Sequence, residues 1–346
     1  MNNKSVLRRN IGGALAFLLP VLLFLSLSLR DGSLADIGAD AECYLSVADN
    51  FLATGHFIQT VRPFDDLVVP FGLPLILTAF RALGMSVEAI AAVQHLMVGA
   101  SCLLLYLAEK NSCGRGGFAP AAFCLALLRT DISPENIYVE IYYLFFLCLI
   151  LWLLSREDMP LPRRLLWLNI AGFCVFVVRL VLLLVWLPIL AYTLWCVAKK
   201  RFPLRRALIL GAVFAGLLLG NAANNRREAG HWVWMENYSG NDMYLANNPC
   251  TQTRHFTSSL TDSFADEEYF DIRNDWHIDQ TQRDQAFNAA ARRWIVQNPG
   301  QFAKNTLVKF WRLFLSHWLY GSLAALAWMC LELLSGGGNG DREAGA

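Results

Sequence analysis

The sequence predicts an all-α polytopic membrane protein with about eight transmembrane helices, one juxtamembrane helix and a small α-rich external segment. Three observations carry this. Charged residues make up 16% of the 346-residue chain, against roughly 25% in an ordinary soluble domain. Apolar residues fall in long blocks, most of them near the ~20 residues that cross a bilayer. Basic residues collect in alternate connections between those blocks. The same composition excludes a disordered chain. A formal net charge of +1 leaves no electrostatic footprint for nucleic acid.

The first block, Ile11–Leu29, follows Lys4, Arg8 and Arg9. It has span length and no clear small-x-small cleavage site, so it reads as a signal anchor with its N-terminus inside. Val68–Leu83 is apolar but short, holds Pro70 and Pro74, and ends at Arg81 and Gly84. Counted as a span, it would reverse the later topology, so it reads as a helix at the outer membrane surface. Further spans are expected at Val87–Ala108, Phe118–Leu128, Ile141–Leu154, Leu165–Val178, Leu180–Val197, Ala207–Gly220 and near Phe314–Leu334. Arg179 interrupts the long run from Leu165 to Val197, which reads as two short helices meeting near the outer face.

Three connections are basic. They carry Lys110 with Arg115, Arg156 with Arg163 and Arg164, and Lys199, Lys200 and Arg201 with Arg205 and Arg206. The positive-inside rule places them in the cytoplasm with the N-terminus. The acid-rich stretch Asp31–Asp66, with Arg62 its only base, then faces outside, as do Arg129–Glu140 and Asn221–Asn305. Residues 1–220 thus form a transmembrane module whose first external loop is 31–66. Residues 221–305 form an external segment, 306–334 hold the last transmembrane helix, and 335–346 are a polar tail rich in glycine. Within the external segment, Phe287, Ala290, Ala291, Trp294 and Ile295 recur at helical spacing and predict a helix over Gln280–Gln297. Asn298-Pro299-Gly300 ends it.

Chemistry is expected where charge meets the apolar blocks. Asp40 stands a few residues beyond the first span, before a helix-like stretch ending at Gly55. A carboxylate there can serve as a general base or a metal ligand, or belong to a solvated acidic loop. Glu140 heads an apolar span, where an ionisable group is expensive, unless it snorkels to the interface. Arg179 lies between Val178 and Leu180. Its forked, permanent charge suits a phosphate, or an ion pair with Asp40 or Glu140. Arg62 is a second phosphate candidate. His95 lies within a span and reads as a packed, hydrogen-bonded residue. No GxSxG, GxxxxGK[ST] or HExxH occurs, which excludes P-loop transport ATPases and HExxH proteases. No CxxC pair or Cys/His spacing signals zinc.

The constellation resembles the GT-C membrane glycosyltransferases, in the branch similar to dolichyl-phosphate-mannose–protein mannosyltransferases and bacterial lipid A aminoarabinose transferases. Four stretches carry the likeness. Asp40, Tyr44, Ala48, Leu52 and Gly55 follow the first span. Arg62 precedes Pro70-Phe71-Gly72-Leu73-Pro74. Glu140 precedes an apolar span. Gly230, Ser239-Gly240-Asn241, Tyr244 and Asn247-Asn248-Pro249 are later followed by Asn298-Pro299 and Lys309. Arg179 matches a basic residue common after the fifth span. Asn224-Asn225 stands where the family often has Arg-Asn.

The resemblance implies an inverting glycosyltransferase that moves a sugar from a polyprenyl-phosphate donor to a glycan, lipid or protein acceptor. It implies Asp40 and Glu140 as the catalytic carboxylates, which could share a divalent cation, Mg or Mn. Arg62, Arg179 and Tyr44 would bind the lipid phosphate. It further implies a bacterial inner membrane and a periplasmic site. The competing function is a non-catalytic lipid-carrier binder or flippase-like transporter, which would need Arg62 and Arg179 but neither carboxylate.

Overall fold

The computed structural model describes residues 3–30, 32–35, 37–61, 68–128, 132–251, 266–275 and 277–313. Regular structure among them is helical. The apolar blocks give α1 (Asn3–Arg30), α4 (Val87–Cys113), α5 (Phe118–Leu127), α6 (Val139–Leu154), α7 (Leu161–Val178), α8 (Leu183–Ala198) and α9 (Leu204–Ala229). Between α1 and α4 lie α2 (Ala39–Thr54) and α3 (Gly72–Ala82). After α9 come α10 (Ser239–Ala246), α11 (Glu267–Asn274), α12 (Gln280–Gln297) and α13 (Pro299–Leu313).

Local chemistry sets the helix ends. Ser86 starts α4 by accepting the Ala89 N–H, and Gly114 ends it at φ 73°. These are a polar N-cap and a left-handed C-terminal glycine. Asp279 caps α12 in a reciprocal box with Gln282. Asn298 then breaks the chain, and Pro299 opens α13 at once, where a missing N–H costs nothing.

Five helices among the described residues are long and apolar enough to cross a membrane. They are α1, α4, α7, α9, and α8 with its leading turn. The protein is accordingly an integral membrane protein of helices. Two expected spans are shorter: α5 has 10 residues and α6 has 16. At 1.5 Å per residue α5 rises about 15 Å, half of a ~30 Å hydrocarbon core. The expected span near Phe314–Leu334 and the tail 335–346 lie outside the described residues.

One boundary that bears on the site differs from the sequence reading. The span expected to end at Gly220 continues as helix to Ala229. Polarity changes at Asn221, but the backbone stays helical until Gly230 turns at φ 74°. Apolar length and helix length are set by different residues. At Arg179 the chain does break: the residue is extended (φ −146°, ψ 115°), and a 3₁₀ turn over Leu180–Leu182 leads into α8.

Helices α1, α5 and α6 pack on α4, and α7 packs between α6 and α8. The basic connections share one end, where Asn111 Nδ2 donates to Ser155 Oγ at 3.1 Å. Helices α2 and α3 pair at the other end. Their core joins Ala41, Tyr44, Leu73 and Leu77 to Ile90, Tyr142 and Val178. A second cluster, with Phe173, Phe176, Trp186 and Phe214, ties α7, α8 and α9 to Phe71 and Met235.

Gly72 makes the closest approach between α3 and α7. A Cβ there would stand 2.7 Å from the carbonyl of Val177. Backbone cannot yield as a side chain can, so Gly72→Ala should destabilise by about 1–3 kcal/mol. A lowered melting temperature in detergent is the expected readout, and an unchanged one would show that the contact carries no stability.

Candidate functional site

Three carboxylates open three helices at the end opposite the basic connections. Asp40 lies in the first turn of α2, Glu140 in that of α6 and Asp242 in that of α10. Helix N-termini carry positive partial charge and stabilise acids. Arg179 caps the C-terminus of α7, the end that favours a cation. The groups lie within electrostatic reach of one another. Glu140 feels Arg179 and Asp40. Tyr44 feels Tyr238, Asp40 and Arg179. Asp242 feels Arg179, Asp284 and Asp40. The structure therefore gathers Asp40, Tyr44, Glu140 and Arg179 in one place. Arg62 lies outside the described residues.

Asp40 is exposed, while Glu140 and Arg179 are half-buried. The alternative role for Arg179, an ion pair with Asp40 or Glu140, is not realised: among the described residues it has no ion pair within 4.0 Å. Its guanidinium can receive an anion. Tyr44 is buried. Burial first, then Tyr238 and Asp40, pushes its phenol up, so it keeps a proton to donate. His95 is buried with Nε2 3.0 Å from Ser28 Oγ and Nδ1 2.8 Å from the Ala91 carbonyl, as a packed histidine should be. His56 pairs with Glu228 at 2.9 Å.

The sequence reading missed the external contribution: Glu236, Tyr238, Asp242 and Asp284. Glu236 and Tyr238 come from an irregular stretch after α9 in which Val233, Met235 and Asn237 are buried while Trp232 and Trp234 are exposed. That alternation has the period of extended chain, but the letters Trp-Val-Trp-Met are apolar throughout and carry no such signal. Asn side chains fix the stretch. Asn221 Nδ2 donates to the Trp234 carbonyl and Asn225 Nδ2 to that of Val233, both at 2.8 Å. Asn237 Oδ1 accepts the Val68 N–H at 2.8 Å. On the far side, the Gly240 N–H donates to Asp284 Oδ1 at 2.6 Å, and a Cβ on Gly240 would stand 2.1 Å from the Asp284 carbonyl oxygen. Helix α10 thus docks on α12 through backbone, over a core of Tyr244, Tyr269 and Phe287.

Burial pushes the carboxyls of Glu236 and Asp284 up, against the pull of Arg179 on the first and of the Gly240 and Asn241 N–H groups on the second. Asp279 goes the other way. Burial would raise it, but the Gln282 and Thr281 N–H groups and His231, at 2.8 Å, hold it below the usual range. A raised carboxyl destabilises the fold above its unfolded value; a lowered one stabilises it there. Stability should therefore rise as pH falls from neutral toward the ordinary carboxylate range of about 4. It should drop again as pH falls through the depressed value of Asp279. Melting temperature against pH at constant ionic strength checks this, and Asp279→Asn should make the acid limb shallower, the remainder belonging to Glu228, which burial would raise but His56 and Arg227 also hold low.

Among the described residues no three His, Cys, Asp or Glu side chains form a metal-ligating group. Magnesium needs only one or two carboxylates when substrate phosphate and water complete its shell, and Asp40 with Glu140 can offer that much. No family model, curated protein or solved structure matches the chain.

Proposed function

We propose that the protein is an inverting glycosyltransferase that takes a sugar from a polyprenyl-phosphate carrier. It passes the sugar to an envelope acceptor at the outer face of a bacterial inner membrane. The observation that carries this is Arg179: at the end of an apolar bundle its guanidinium makes no ion pair among the described residues, and it lies within electrostatic reach of Tyr44 and Glu140, which in turn feel Asp40.

In one displacement the acceptor oxygen forms a bond to the anomeric carbon, and the bond from that carbon to the carrier phosphate breaks. The acceptor proton passes to Asp40, an exposed carboxylate suited to a general base. The polyprenyl phosphate leaves as an anion, so it needs cations and donors. Arg179 and the Tyr44 hydroxyl supply them. Glu140 stabilises positive charge developing on the sugar ring, as carboxylates do in glycosyl chemistry. Bound between Asp40 and Glu140, a divalent cation (Mg or Mn) would add charge neutralisation at the phosphate. The carrier tail stays in lipid beside the helices.

The test is the full chain in detergent with a panel of undecaprenyl-phosphate sugars and an envelope extract as acceptor, with and without EDTA. Acceptor-dependent release of undecaprenyl phosphate is expected. Carrier binding with no release from any donor would mark a lipid-carrier binder and end the transferase reading. Loss of release in EDTA, restored by Mg or Mn, would place a cation in the site.

A further inference from the structure

Beside the charged cluster lies an open cleft of about 300 Å³, lined by Trp232, Trp234, Glu236, Thr281, Asp284 and Gln285. Leu180, the residue after Arg179, also forms part of its wall. We infer that this cleft is a carbohydrate site, and that the acceptor is a glycan whose terminal pyranose rests on Trp232 and Trp234. The acceptor role rests on the glycosyltransferase reading; the carbohydrate site does not.

The lining has the chemistry of a sugar ring. A pyranose has an apolar C–H face and a rim of hydroxyls. Flat indoles take the face by dispersion and weak C–H contacts. Carboxylate, amide and hydroxyl groups take the rim. The volume sits at the small end of the roughly 300–1,000 Å³ of ligand clefts, which suits one or two sugar rings.

Trp232 and Trp234 are 63% and 56% exposed, and neither touches another aromatic ring among the described residues. Such rings are costly to leave in water. Their backbone is nonetheless held in place, because the Asn225 and Asn221 side chains fix the carbonyls of Val233 and Trp234. A platform fixed before binding loses little entropy on binding. The side chains of Glu236 and Gln285 make no hydrogen bond among the described residues, so both can serve a ligand.

Two other occupants fit less well. Tryptophans at a bilayer interface sit with their bodies in lipid, but these share their cleft with the carboxylates of Glu236 and Asp284, which lipid disfavours. A peptide usually docks on a strand edge or a continuous apolar groove, whereas here the apolar wall is faced by Glu236, Thr281, Asp284 and Gln285, polar groups that match a rim of hydroxyls. Glu236 also feels Arg179, and Leu180 next to Arg179 lines the cleft, so the cleft lies beside the proposed reaction centre.

The test uses the full chain in detergent on an array of oligosaccharides ending in hexose, N-acetylhexosamine or uronate. Each is presented free and coupled to a C16 lipid, beside a peptide rich in serine and threonine. At least one oligosaccharide class should bind. The double variant W232A/W234A should weaken it by more than about tenfold, while W232F/W234F stays within about threefold. Melting curves confirm that each variant folds, and the phenylalanine pair keeps the test valid if the alanine pair does not. Equal retention of both forms identifies the saccharide alone as ligand; retention of the lipid-coupled form alone identifies a lipid-linked glycan. Binding needs no donor. Glycan binding without transfer would end the transferase reading and leave the site standing. Absence of glycan binding, glycan binding indifferent to the tryptophans, or peptide binding with the same dependence on them would overturn the inference.

Discussion

Replacing Asp40 by asparagine should lower sugar transfer by about 10²- to 10⁴-fold, the usual worth of a general base. Asparagine keeps the shape and cannot take the acceptor proton. The loss should fall on kcat, because Asp40 takes the acceptor proton; a rise in the KM for the carrier beside it would mark Asp40 as a holder of the cation as well. Folding should survive. Asp40 is exposed in the first turn of α2, where the interaction of its charge with the helix dipole is worth about 0.3–1 kcal/mol. Asp40→Glu should recover part of the rate, since the carboxylate returns at a longer reach. Turnover equal to wild type in the asparagine variant would remove Asp40 from the chemistry.

Arg179→Gln should cost about 10²- to 10³-fold, as loss of one preorganised charge donor does. Here both kcat and carrier affinity should fall, because the guanidinium meets phosphate in the ground state and more strongly as charge develops on it. Arg179→Lys should recover little. A lysine is a point charge and cannot give the paired N–H bonds of the fork. Stability is a useful control. Among the described residues Arg179 has no ion pair within 4.0 Å, so its removal strands no salt-bridged partner. A melting temperature that collapses while carrier affinity holds would recast Arg179 as structural.

Much of the bundle was legible because helix signals are local. The amphipathic spacing and the Asn298-Pro299 stop located Gln280–Gln297, and the polar caps at Asp279 and Ser86 agree with the starts. Arg179 marked a break because no apolar span carries an arginine at low cost. Other features depend on distant contacts. The extension of α9 to Ala229 keeps Asn221 and Asn225 on a helix, and their role appears only once Val233 and Trp234 fold back onto it. Glu236, Tyr238 and Asp284 are separated from Asp40 by most of the chain, so no spacing rule could join them. The run Trp232-Val233-Trp234-Met235 is apolar throughout, so even which of its faces is buried appears only in the folded chain.

The contact at Gly72 has a mechanical consequence. Helix α2 packs on α3, and α3 touches the end of α7 through backbone at Val177, two residues before Arg179. A joint of backbone on backbone has almost no compliance, because no rotamer can absorb a displacement. Asp40 on α2 and Arg179 after α7 are therefore fixed in a rigid frame, like two jaws of one casting. In the proposed reaction a donor entering this frame would meet a gap already set to width, leaving the lipid, not the protein, to move.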